Sequence, residues 1–257
     1  MVGVWRILGV LGGLLGLLTA CATARSSTPG AERTPPPALS ELAPYFPDGE
    51  LGAAVSAFRA GRNGEAAEAL ESFIADHPED PRLLPARLVG LLARHDEGVD
   101  KPTAMELERL AEDWPLVADY ASFFAGSAYF RSKRYARAAA ALERVPRGST
   151  LWSRAVALRA RSLRESQGTK PALEVVNQAL KHRERDVALW ELKEVMLEGD
   201  GDASGLQTVR REMASRFPRS AAGRAARRSL GKSPGFSSDQ WLRMARKLFR
   251  HHSHKRC

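Results

Sequence analysis

Residues 126–145 read GSAYFRSKRYARAAAALERV, and the spacing within this stretch decides the fold. Small and apolar residues recur in steps of three and four, which is the period of a helix surface. Five positions of this stretch, called repeat slots below, hold Gly126, Tyr129, Ala138, Leu142 and Val145. Thirty-four residues later the same slots hold Ala160, Leu163, Ala172, Val176 and Ala179, and after another thirty-four they hold Glu194, Leu197, Leu206, Arg210 and Met213. Seventy-two residues upstream they hold Ala54, Ala57, Ala66, Leu70 and Phe73. The chain therefore contains an internal repeat of about 34 residues.

This repeat resembles the tetratricopeptide repeat, whose unit is two antiparallel helices. Small residues are expected in the slots where the two helices cross closely, and large residues in the slots that face the space between units. Turn signals such as Ala60-Gly61 and Phe217-Pro218 end the helical segments. We predict an all-α, tetratricopeptide-like superhelix of four to five helical hairpins over residues 48–230. A plain helical bundle with fortuitous spacing is the alternative.

Two departures from the pattern make the repeat degenerate. The unit between Pro81 and Pro115 fits worst, because the segment that starts at His95 lengthens its turn. In the last full unit, Glu194 and Arg210 occupy slots that should be small or apolar.

Composition excludes several classes of protein. The chain has 257 residues, of which 44% are apolar and two are cysteine. That apolar content excludes a chain that is disordered throughout. A polytopic membrane protein is excluded because the chain has only one long uncharged segment. Two cysteines exclude a disulfide scaffold and a four-cysteine zinc module.

The N-terminus has the pattern of an export signal. Arg6 precedes an uncharged apolar stretch over residues 7–18, about the length of a signal-peptide core. The following Leu18-Thr19-Ala20-Cys21 resembles the lipobox of bacterial lipoproteins, where the thiol is lipidated and the chain is cleaved just before it. We therefore expect residues 1–20 to be a lipoprotein signal peptide and Cys21 to carry the lipid. Cleavage after Ala22-Thr23-Ala24, giving a soluble periplasmic protein, is the alternative.

The residues after Cys21 predict a tethered location. By the sorting rule of that lipoprotein family, Ala22 favours the outer membrane on its periplasmic side. Residues 21–47 are rich in Pro, Ser and Thr and offer no apolar helix or strand face that could pack on a core. We therefore predict that they form a flexible tether.

A narrower resemblance covers residues 49–257. The segments 114–121, 128–138 and 149–155 are similar, in that order, to the helical superhelix that precedes the catalytic domain of soluble lytic murein transglycosylases. That family implies a catalytic Glu in a Glu-Ser motif with a Gly-Leu-Met-Gln motif downstream. Only Glu71-Ser72 and Glu165-Ser166 match the first half, and neither is followed by the second. We therefore predict no catalytic residue in this chain.

Cofactor and metal motifs are likewise not recognised. No GxSxG, HExxH, Walker loop or dinucleotide glycine pattern occurs, so no cofactor is predicted. The tail over residues 251–257 contains three histidines and Cys257, but its spacing matches no zinc template and cations crowd it. We interpret it as solvated basic sequence without a metal.

Positive charge is concentrated near the C-terminus. Residues 207–257 hold 14 Lys or Arg against two acids, although the whole chain has a net charge of only +9. The candidate basic patch is Arg243, Arg246, Lys247 and Arg250. No nucleic-acid-binding motif accompanies it, so the expected anionic partners are peptidoglycan carboxylates or lipid head groups, with a solvated helix face as the alternative.

Residues 231–257 are predicted to form a basic half-hairpin or cap. Ser237 and Gln240 have the spacing of a capping box that opens a helix over residues 241–249. A half-hairpin leaves one apolar face uncovered unless it serves as a terminal cap, and a truncated longer protein is the other interpretation.

The sequence is compatible with two functions. One is a non-catalytic protein-interaction scaffold of the cell envelope, in which the first helices of the units line a concave face and Tyr120, Tyr129 and Trp152 are candidate anchors. The other is the helical domain of a peptidoglycan lytic transglycosylase, separate from its catalytic part.

Overall fold

Proline and glycine divide the chain into short helices. The computed structural model describes residues 49–232 and 234–249, and within these ranges it contains twelve α-helices and no strand. The helices are α1 Glu50–Arg59, α2 Asn63–Asp76, α3 Leu83–Asp96, α4 Asp100–Asp113, α5 Ala118–Arg131, α6 Tyr135–Glu143, α7 Trp152–Gln167, α8 Thr169–His182, α9 Val187–Gly199, α10 Ala203–Arg216, α11 Ala221–Ser229 and α12 Ser238–Phe249. A proline follows within three residues of the ends of α2, α4, α6 and α10, where it prevents the helix from continuing.

The first ten helices pair as five hairpins. Their first helices begin at residues 50, 83, 118, 152 and 187, so successive starts lie 33, 35, 34 and 35 residues apart. Each first helix also packs against the second helix of the preceding hairpin, as in a solenoid. The predicted all-α, tetratricopeptide-like fold is confirmed.

A left-handed residue reverses the chain inside every hairpin. Gly61, Gly98, Gly168 and Gly201 take this position in four hairpins, with φ between 72° and 93°. Lys133 takes it in the hairpin of α5 and α6, with φ of 59°. Because a side chain is disfavoured at positive φ, the turn selects glycine in four of five cases.

Polar bonds about one repeat apart tie neighbouring hairpins together. Ser149 Oγ donates to Asp119 Oδ2 at 2.6 Å, across 30 residues. The guanidinium of Arg144 donates to Glu108 Oε1 at 2.6 Å, across 36 residues. His95 Nε2 lies 3.2 Å from Ser127 Oγ, across 32 residues. These bonds fix the register between units around a core that is divided into clusters along the solenoid.

The Glu194 and Arg210 departure is a matched pair. The equivalent slots hold Gly126 and Leu142 two units earlier, where a Cβ on Gly126 would lie only 2.4 Å from Leu142 Cγ. In the hairpin of α9 and α10, Arg210 Nε donates to Glu194 Oε1 at 2.6 Å, and both side chains are about four-fifths buried. An ion pair therefore replaces a contact between a small and a large apolar residue at the same helix crossing.

The last two helices depart from the hairpin pattern. Helix α11 begins 34 residues after α9 and packs on α10, so it takes the first-helix position of a sixth unit. Helix α12 also packs on α10, with Met244 buried. The half-hairpin interpretation makes α12 the first helix of the next unit, whereas the structure gives that position to α11. The predicted capping box is confirmed, since Ser237 N donates to Gln240 Oε1 at 3.0 Å and Gln240 N to Ser237 Oγ at 3.3 Å.

Candidate functional site

A groove of about 940 Å³ lies between α6, α7 and α8. Trp152, Val156 and Leu163 of α7 form its floor, each about nine-tenths buried. Two second helices, α6 and α8, form its walls. The sequence predicted a binding face on the first helices, whereas this groove is lined mainly by second helices.

Small side chains on α6 keep the groove open. Ala136, Ala139 and Ala140 face it from that helix, where any longer side chain would fill the space. On the opposite wall, Asn177 and Gln178 are exposed and bring side-chain amides to the groove. The groove thus has an apolar floor, one low wall and one hydrogen-bonding wall.

One charged pair crosses the groove. Arg159 Nη2 on α7 donates to Glu143 Oε1 on α6 at 2.5 Å. Its Nε is buried and has no hydrogen-bond partner within the described residues. A buried donor without a partner carries a desolvation cost.

The three predicted anchors do not share one surface. Tyr120 is 45% exposed on α5. Tyr129 is fully buried, its hydroxyl donates to Glu108 Oε2 at 2.6 Å, and burial together with that carboxylate raises its pKa. Tyr129 is therefore a core residue that links two hairpins, which corrects its assignment to a binding face. Trp152 is 8% exposed and lies in the groove floor under the guanidinium of Arg183, 5.2 Å above its ring.

The predicted basic patch is partly engaged in holding α12. Arg243 donates to Glu212 Oε2 at 2.8 Å, and Lys247 Nζ donates to the carbonyl of Arg216 at 2.5 Å. Arg246 is exposed. Arg250 lies outside the described residues.

The sequence features that bear on catalysis, metal binding and lipidation lie on separate parts of the chain. Glu71 forms an ion pair with Arg94, and Glu165 is exposed on α7. Within the described residues, no three potential metal ligands cluster. The histidine-rich tail and Cys21, like residues 1–48 as a whole, lie outside the described part of the chain.

The helices within the described residues are at most 16 residues long. None of those within residues 49–232 and 234–249 is both long enough and apolar enough to cross a bilayer.

Comparison with known proteins supports the fold. No protein-family profile and no curated protein matches the sequence. Among solved structures, the chain is similar to the nearly identical TPR-like repeats assigned to a kinesin light chain of Podosopora anserina. The TM-score is 0.53 at 15% identity, and the match covers 72% of this chain and 96% of the other. At that identity the likeness establishes the TPR-like fold alone.

Several site residues were missed by reasoning from sequence. The pairing of Glu143 with Arg159 joins one hairpin to the next, and no motif marks it. The 16-residue separation gives no signal, because for Glu194 and Arg210 it joins the two helices of one hairpin, whereas for Glu143 and Arg159 it joins successive hairpins.

Proposed function

We propose that this protein is an interaction scaffold that binds an extended polypeptide segment in the groove of α6, α7 and α8. The groove is the observation that carries the proposal, because it combines an apolar floor with hydrogen-bonding groups on a TPR-like fold. Its floor follows α7 from Trp152 to Gln167, which is about 22 Å at 1.5 Å per residue. An extended chain rises about 3.3 Å per residue, so about seven residues fit.

The lining indicates the chemistry of the bound segment. Alternate side chains of an extended strand point the same way, so apolar residues at every second position would contact Trp152, Val156 and Leu163. The main chain would then face Asn177 and Gln178, whose amides donate and accept hydrogen bonds.

A filling substitution tests the groove. Ala140→Trp would occupy it from the α6 wall. Ala225→Trp on α11 is the matched control, because Ala225 is also an exposed helix residue and lies outside the groove. Peptides selected from a random library on the wild-type protein should lose binding to Ala140→Trp and keep it on Ala225→Trp. Selected peptides that bind Ala140→Trp as well as wild type would place the site elsewhere.

The proposal includes a location in the cell envelope. It is supported by the apolar segment over residues 7–18, the lipobox-like Leu18-Thr19-Ala20-Cys21 and the tether over residues 21–47. The scaffold is an outer-membrane lipoprotein that faces the periplasm, or a soluble periplasmic protein if cleavage occurs after Ala24. The tether allows the folded part to reach partners away from the lipid surface.

The second candidate is the helical domain of a peptidoglycan lytic transglycosylase. It is favoured by the order of the motifs in segments 114–121, 128–138 and 149–155. Purified mature protein is expected to release no anhydromuropeptides from murein sacculi, because the Glu-Ser and Gly-Leu-Met-Gln motif pair is absent from this sequence. An open reading frame encoding that motif pair after the codon for Cys257 would favour this candidate, and a stop codon there would favour the scaffold.

A further inference from the structure

A second concave site lies about α12, away from the groove. This basic pocket has a volume of about 320 Å³ and is lined by Glu184, Arg185, Arg216, Phe217, Arg243 and Lys247. Three parts of the chain contribute: the loop before α9, the end of α10 and one face of α12. Arg243 and Lys247 are four residues apart, so they project from the same face of α12.

The carboxylates near the basic pocket do not balance its cations. Glu212 accepts from Arg216 at 2.6 Å and from Arg243 at 2.8 Å, and Glu184 accepts from Arg216 at 3.0 Å. Arg185 makes no hydrogen bond or ion pair with any residue in the described ranges. Four cations are therefore set against two carboxylates, which leaves a formal excess of two positive charges.

The titration behaviour of the neighbouring groups agrees with this excess. Burial opposes ionisation of Glu212, but bonds from Gln240, Arg216 and Arg243 outweigh it and lower the pKa of that carboxyl. Burial lowers the pKa of Lys247, and the three arginines of the pocket lower it further. Glu184 opposes that effect without cancelling it. The pocket thus stores repulsion that a bound anion would relieve.

We propose that the basic pocket binds a phosphate monoester group. A phosphate monoester carries a charge between about −1.5 and −2 near pH 7, which matches the excess of the pocket, whereas a carboxylate carries only −1. Arginine forks and a lysine ammonium supply the donors that phosphate oxygens prefer. The site is separate from the groove and does not depend on the proposed scaffold function.

Two sources can supply that group. One is a soluble phosphate ester, and the other is the head group of a phospholipid with a terminal monoester. Leu242 and Phe249 are both exposed on α12. If the source is a membrane, these two side chains are positioned to contribute apolar contacts at its surface.

The first experiment measures the site with glycerol phosphate at constant ionic strength. Arginine side-chain NMR signals should shift and saturate for Arg185, Arg216 and Arg243. The double variant Arg185→Gln/Lys247→Gln should bind at least about tenfold more weakly, because charge-assisted hydrogen bonds are lost. The matched control Arg227→Gln/Arg228→Gln removes two exposed charges from α11 and should change the affinity less than about twofold.

Folding and the second source are checked separately. Lys247 bonds to the Arg216 carbonyl and helps to hold α12. Arg185→Gln alone, which breaks no bond to a described residue, keeps the test valid if the double variant unfolds. Sedimentation with phosphatidylcholine vesicles, with and without phosphatidic acid, identifies the source. Binding to the acidic vesicles that weakens in Leu242→Ser/Phe249→Ser indicates the head group, and vesicle-independent binding of glycerol phosphate indicates a soluble ester. The absence of saturable shifts, or equal weakening in both charge variants, overturns the proposal. Ala140→Trp, which fills the groove, should leave phosphate binding unchanged, so the two proposals fail independently.

Discussion

The crossing of α5 and α6 gives a quantitative test of how the repeat slots work. A Cβ added at Gly126 would lie 2.4 Å, 2.8 Å and 3.2 Å from three carbon atoms of Leu142. Leu142 is buried in a cluster with Phe123, Val145 and Leu151, so its side chain has little room to move. Gly126→Ala should therefore overpack this crossing.

The expected magnitude follows from two opposing effects. Overpacking of a core costs about 1–3 kcal/mol. Replacing a mid-helix glycine by alanine recovers about 1 kcal/mol through helix propensity. Gly126→Ala should therefore lower the free energy of unfolding by about 1 kcal/mol, and by up to about 2 kcal/mol.

The next unit suggests the rescue. There the same two slots hold Ala160 and Val176, a slightly larger residue facing a slightly smaller one. Leu142→Val removes one methylene and should cost about 1 kcal/mol alone, by analogy with the loss of a methylene from isoleucine. In the double variant Gly126→Ala/Leu142→Val the two costs should not add, and a coupling of about 1 kcal/mol is expected.

A matched glycine provides the control. Gly90 is buried in the middle of α3, but a Cβ there would lie 3.5 Å from Leu70 Cβ, which is ordinary contact. Gly90→Ala should raise the free energy of unfolding by about 0.5–1 kcal/mol. Urea unfolding followed by circular dichroism measures all four variants. The reasoning is refuted if Gly126→Ala is as stable as wild type, or if it and Gly90→Ala change stability in the same direction.

Three further predictions concern other parts of the molecule. Glu194→Ala leaves the largely buried Arg210 without its main partner and should lower the free energy of unfolding by about 2 kcal/mol. Adding Arg210→Val, which imitates the preceding unit, should restore most of that stability in a double-mutant cycle. A double variant less stable than the single one would contradict this. Burial lowers the pKa of His95 despite its hydrogen bond to Asp96. Between the folded and unfolded pKa values the unfolded chain therefore binds more protons than the folded chain. This contribution to stability should be complete above about pH 6.5 and fall as the pH drops below it. His95→Gln should flatten that dependence in unfolding curves from pH 8 to pH 5, and an unchanged slope would assign it to other groups. Cys21→Ser should abolish lipid labelling and release the protein from the membrane fraction, and a wild-type protein that is already soluble and begins at Arg25 would show that the alternative cleavage occurs.

The sequence by itself determined the features that depend on local chemistry and on the repeat period. Helix ends followed from prolines, and the capping box of Ser237 and Gln240 followed from groups three residues apart. The 34-residue period predicted antiparallel helix pairs, because a hydrophobic slot that recurs once per unit must face the same neighbour each time.

Only the tertiary structure decided which faces are buried and which charges meet. The sequence places Tyr129 both in a packing slot of the repeat and among the candidate anchors, and only the structure decides for the core, because burial on α5 depends on the adjacent hairpins. The two departures at Glu194 and Arg210 became one ion pair only when α9 and α10 were placed side by side. The basic pocket joins Arg185 to Lys247 across 62 residues, and its charge balance depends on distances that no local pattern encodes. Helical period is a property of neighbours along the chain, whereas burial and electrostatics depend on neighbours in space.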